Sequence, residues 1–93
     1  MIELGGNIRL VNFESIEPAL LIVIKKIVGN YTKKISEANT DFKEIEVTLE
    51  DKGANKIIVK LKTDIEHETS AQDKNLFFAL DKALGTILKE SQQ

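Results

Sequence analysis

Two short runs of strictly alternating residues constrain this chain more than anything else in it. In Glu44–Glu50 the apolar residues Ile45, Val47 and Leu49 alternate with Glu44, Glu46, Thr48 and Glu50. In Lys56–Lys62, Ile57, Val59 and Leu61 alternate with Lys56, Ile58, Lys60 and Lys62. A period of two is the signature of a strand with one face buried and one face in water. The intervening Asp51-Lys52-Gly53-Ala54 reads as a hairpin loop. Paired residues must face the same side, so their numbers must sum to an even value. A sum of 106 sets Glu50 opposite Lys56, Thr48 opposite Ile58, Glu46 opposite Lys60 and Glu44 opposite Lys62. Opposite charges directly across an antiparallel pair each contribute a few tenths of a kcal/mol, so this register is the expected one.

The elements on either side follow from periodicity. Ile2-Glu3-Leu4 and Ile8-Arg9-Leu10-Val11 read as a first strand interrupted by a bulge or turn at Gly5-Gly6. A helix is predicted from about Ile16 to Glu37, with Ser15 as its N-cap and Pro18 in its first turn. Its expected core face is Ile16, Leu20, Val23, Ile24, Ile27, Tyr31 and Ile35. Gly29 lies in the middle of that pattern as a potential kink. Thr63–Gln72 is polar, and His67, Thr69 and Ala71 would line one side of a short fourth strand. A second helix is predicted from Asn75 to Glu90, capped by Asp73 or Asn75, with Phe77, Leu80, Leu84, Ile87 and Leu88 on its apolar stripe. The resulting expectation is one α+β domain over residues 1–93. It holds an antiparallel three- or four-stranded sheet with two helices on one face, in the order β-α-β-β-(β)-α.

Several function classes lack their residues. There is no Cys, hence no thiol chemistry, disulfide or Cys-based zinc site. His67 is the single histidine, and its neighbours Glu66 and Glu68 would point to the other face of a strand. No metal site is therefore expected. Gly5-Gly6 is not followed by a phosphate-binding signature, and no nucleophile–base pair or cofactor fingerprint is visible. The expectation is a protein without cofactor or small-molecule substrate, acting by binding. The longest apolar run, Ala19–Ile24, falls far short of the roughly 18–20 residues that span a bilayer. With no signal segment visible, a cytoplasmic location is expected.

Two surfaces stand out. Lys25-Lys26 and Lys33-Lys34 recur on the first helix and read either as a solvated face or as a stripe that tracks a phosphate backbone. The overall balance, 13 basic against 15 acidic residues, requires any basic surface to be local. Leu21, Ile22 and Val28 exceed what one core face needs. They read either as deeper burial or as an interface for self-association or another partner.

The segment Ser70-Ala71-Gln72-Asp73-Lys74-Asn75-Leu76-Phe77-Phe78-Ala79-Leu80-Asp81-Lys82-Ala83-Leu84 resembles the C-terminal helix of the ribosome hibernation-promoting and ribosome-associated inhibitor family. In that family a small pair and an acidic stretch precede an Asp-Leu-Tyr-x-Ala-Ile-Asp-like helix start, and Asn75–Asp81 fills that helix start here. Ile16-Glu17-Pro18-Ala19-Leu20 is similar to the start of the family's first helix. The resemblance implies a non-enzymatic factor that sits on the small ribosomal subunit, contacts rRNA through basic residues and silences translation. Carried onto this chain, the implied RNA contacts are Lys25, Lys26, Lys33, Lys34, Lys56, Lys60 and Lys62. The alternative on the same fold is a homo-oligomerising interaction module using Leu21, Ile22 and Val28.

Overall fold

The computed structural model describes residues 1–92. Five strands and two helices follow in the order β1 (Ile2–Leu4), β2 (Ile8–Val11), α1 (Pro18–Ala38), β3 (Glu44–Asp51), β4 (Lys56–Lys62), β5 (Glu66–Gln72) and α2 (Leu76–Ser91). The sheet order is β1-β2-β3-β4-β5. The interrupted first strand is thus two strands. Gly5 and Gly6 adopt φ of 64° and 81°, a left-handed backbone that glycine enters without steric cost, and the chain folds back so that Ile2 pairs with Leu10 and Leu4 with Ile8. The polar stretch does form a strand, β5, at one edge of the sheet, with Thr69 buried and His67 and Ala71 half-buried, as its alternation suggested.

The sheet is mixed rather than antiparallel. β2 and β3 pair in parallel, Ile8 with Ile45 through Val11 with Thr48, while the remaining neighbours are antiparallel. The cause is α1. One long helix between the strands carries the chain back to the end where β2 began, so β3 must run in the same direction.

The β3–β4 register follows the charge argument over most of its length: Glu44 faces Lys62, Glu46 faces Lys60 and Thr48 faces Ile58. At the turn the pairing slips, and Asp51 rather than Glu50 lies opposite Lys56. Such an irregularity leaves one strand with an extra residue. The Asp51 carboxylate occupies itself with the turn, accepting from the Gly53 and Ala54 amides at 3.0 and 3.3 Å. The Lys56 ammonium still reaches Glu50 at 3.2 Å.

Both helices cover one face. The buried core joins Leu10, Ile45, Val47, Ile57, Val59 and Leu61 of the sheet to Ile24, Val28 and Ile35 of α1 and Leu80, Leu84 and Ile87 of α2. The core face of α1 is rotated from the expected one. Val28 is wholly buried, whereas Leu20 and Val23 are 41% and 44% exposed. Helix register explains this. Tyr31 meets Asp81 and Asn39 meets Ser91, so α1 and α2 run parallel with partners about fifty residues apart. The first two turns of α1 therefore precede the start of α2 at Leu76, and their flank finds no helix to pack on. Ser15 does not cap α1, whose N-cap is Glu17 with no side-chain bond. Asn75 does cap α2, accepting from the Phe77 and Phe78 amides at 2.8 and 3.3 Å.

Candidate nucleic-acid interface

The seven lysines implied as RNA contacts fall on opposite faces of the molecule. Lys25, Lys26, Lys33 and Lys34 stand on α1; Lys56, Lys60 and Lys62 stand on the open face of the sheet. At 100° per residue, Lys26 and Lys33 project within about 20° of each other, and Lys25 and Lys34 flank them at about 80–100° on either side. Lys26, Lys33 and Lys34 are exposed, and Lys25 is half-buried. Among the described residues none of the four forms an ion pair. The Lys34 ammonium lies 5.7 Å from the centre of the Tyr31 ring, within cation–π range. Tyr31, expected in the core, is half-buried and packs at its margin, and its hydroxyl donates to the Asp81 carboxylate. That bond, with burial and the nearby negative charge, pushes the phenol up to about 12. Ile27, Asn30, Tyr31, Lys34, Phe77, Phe78 and Asp81 line the groove between the helices.

The sheet lysines are held differently. Lys56 pairs with Glu50 at 3.2 Å, Lys62 with Glu44 at 3.8 Å and Lys60 with Glu68 at 3.9 Å. The partner of Lys60 is therefore on β5, not Glu46 of β3 as the hairpin alone suggested. Glu44 is shared, since Arg9 also reaches it at 3.5 Å. Cross-strand pairing extends this into rows. Glu3, Arg9, Glu46, Lys60 and Glu68 lie side by side across all five strands, and Glu44, Lys62 and Glu66 form a second row beside them. Signs alternate along both rows, with five carboxylates against three cations. Arg9 was not singled out in the sequence, because its place in the row depends on the parallel β2–β3 pairing.

The three apolar residues read as an interface separate in the same way. Val28 belongs to the core and is unavailable to a partner. Leu21 is half-buried against that core. Ile22 is 68% exposed, and Leu20 and Val23 in the same stretch of α1 are exposed as well. Phe78, 62% exposed on α2, was also missed; Phe77 and Phe78 are adjacent, so a helix with one buried stripe must turn one of them outward. His67 lies on the helix-facing side of β5, while Glu66 and Glu68 point to the open side. Among the described residues no three His, Cys, Asp or Glu side chains form a group able to hold a metal. Among the described residues no helix is long and apolar enough to cross a membrane.

This architecture, two helices over one face of a five-stranded mixed sheet, places the chain in a recognisable α+β class. No protein-family model matches the sequence, nor does any curated protein. Solved structures do match. The N-terminal domain of Thermus thermophilus Protein Y superposes with a TM-score of 0.71 over 91% of this chain and 92% of that one, at 14% identity. A ribosomal subunit interface protein from Coxiella burnetii superposes with a TM-score of 0.57 over 90% and 89%, also at 14% identity. Both neighbours belong to the family that the C-terminal helix motif resembles, and what this chain shares with them is the fold.

Proposed function

We propose that this protein acts by binding to the ribosome, contacting small-subunit rRNA chiefly through α1, and that it silences translation there as a non-enzymatic factor in the cytoplasm. The observation that carries the reading is the set of four lysines on α1, free of ion pairs among the described residues, on a fold shared with a ribosomal subunit interface protein. Phosphate contacts by lysine release condensed counterions and supply affinity without sequence readout. Within α1, four lysines stand against one glutamate, giving +3 on a chain whose total is −2. The remainder of the molecule thus carries −5. Lys56, Lys60 and Lys62 are secondary contacts in this reading, because each must exchange a carboxylate for a phosphate.

The test is sucrose-gradient co-sedimentation of the purified protein with small ribosomal subunits at low and moderate salt. Binding that weakens as salt rises is expected. Absence of binding at low salt, or binding unchanged after charge reversal of all seven lysines, would sink the assignment.

The exposure of Leu20, Ile22 and Val23 favours a second reading, self-association through the first turns of α1. Ile22→Asp should leave the fold intact because Ile22 contributes little buried surface. In this reading it converts an oligomer to a monomer in sedimentation equilibrium; a wild-type protein that is already monomeric removes the basis for it.

A further inference from the structure

The rows of alternating charge stop at a free edge. β5 has a neighbour on one side only, β4. Alternate residues of an edge strand direct their N–H and C=O groups outward, where only water meets them. Most natural edges are blunted by Pro, Lys, a bulge or brevity. β5 runs seven residues, Glu66–Gln72, in unbroken register with β4 and contains no Pro, Gly or Lys. The opposite edge is different: β1 has three residues, and the Met1 ammonium beside it is tied to Glu14.

Both rows end on β5 with a carboxylate. Glu68 closes the five-strand row, and Glu66 closes the other. Glu66 has no ion-pair partner among the described residues, because the Lys62 ammonium turns to Glu44 instead. Continuing the alternation by one strand calls for a cation opposite Glu66 and another, two residues along, opposite Glu68. Ile65, 68% exposed at the head of the strand, offers an apolar contact at the same edge.

We propose that the β5 edge binds an extended segment of a partner protein by strand addition, the segment carrying Lys or Arg at alternate positions that lie beside Glu66 and Glu68. Main-chain hydrogen bonds supply the attachment and the alternate side chains supply the selection. A second copy of this chain is a poorer occupant. Antiparallel pairing of β5 with itself over its full length sets Ser70 opposite Glu68 and Gln72 opposite Glu66, so it brings two further carboxylates and no cation. The inference does not rest on the ribosome reading, whose chief contacts lie on α1 at the other side of the molecule; only its secondary contacts Lys60 and Lys62 share this face.

The test uses the full chain, isotope-labelled, with a short synthetic peptide alternating Lys and Thr. A peptide of the same composition with its lysines in one block is the control. The alternating peptide should bind at least about tenfold tighter and slow hydrogen exchange at alternate β5 amides. Glu66→Lys with Glu68→Lys should lose it and gain binding to a peptide alternating Glu and Thr. Glu66→Gln alone, which leaves every ion pair of the sheet in place, should weaken the lysine peptide without creating the new preference. Equal binding of the two lysine peptides, or protection on α1 instead of β5, overturns the proposal. So does β5 protection that depends on protein concentration with no peptide present, which would assign the edge to a second copy.

Discussion

At the scale of single residues, Tyr31 links both helices to one measurable ionisation. Its phenol is held protonated by the Asp81 carboxylate, and its folded value of about 12 lies above the ordinary 10.0. A group raised in the folded state contributes stability that is fully present below its unfolded value and is lost as pH rises through the folded one. Wild type should therefore lose stability relative to Tyr31→Phe between about pH 10 and pH 12, and the two should run parallel at lower pH. This is the single tyrosine, and the chain has no Trp, so ultraviolet titration of the phenolate reads this group alone. A midpoint near 10 would show that the bond to Asp81 does not hold in solution. The contact was not legible in the sequence. Helical periodicity placed Tyr31 on the inner face, which is correct to within its half-burial, but nothing local indicates that Asp81 lies beside it. Val28 and Leu20 show the same limit: a helix with apolar residues all round its first turns does not declare which stripe is inward.

At the scale of elements, α1 is an uninterrupted helix through Gly29. An alanine Cβ at Gly29 would meet nothing within 4 Å, and no left-handed backbone is required there. Gly29→Ala should then stabilise the protein by about 0.5–1 kcal/mol, a rise of several degrees in Tm for a chain of this size. A fall in Tm would mean that the helix bends there in solution. The β3–β4 hairpin was the most legible part of the fold. Alternation fixed which residues face in, and opposite charges fixed the register from Glu44 to Thr48. The slip at Glu50 was hidden because Asp51 is drawn into the turn by the Gly53 and Ala54 amides, a competition that charge pairing does not see. The parallel β2–β3 pairing was hidden for a different reason. Strand patterns record burial, not direction, and direction here is set by the length of α1.

For the whole molecule, the division of charge decides how the two lysine sets differ. Reversing Lys26 and Lys33 removes cations that form no ion pair among the described residues and should abolish most ribosome co-sedimentation. Reversing Lys56 and Lys60 breaks two exposed pairs, each contributing less than about 1 kcal/mol, and should reduce binding far less. The reverse ranking would place the contact on the sheet. Composition concealed this surface, because a net charge of −2 averages over a basic helix and an acidic remainder. The alternating rows have a consequence of their own. Strands lie about 4.8 Å apart, so charge along a row repeats over roughly 10 Å, about the Debye length in physiological salt. Potentials that alternate over such a distance cancel almost at the surface. At range only the rows' excess of two carboxylates is felt, so an approaching polyanion is drawn from afar by α1, while the order of charges on the sheet becomes distinguishable only to a chain already touching it.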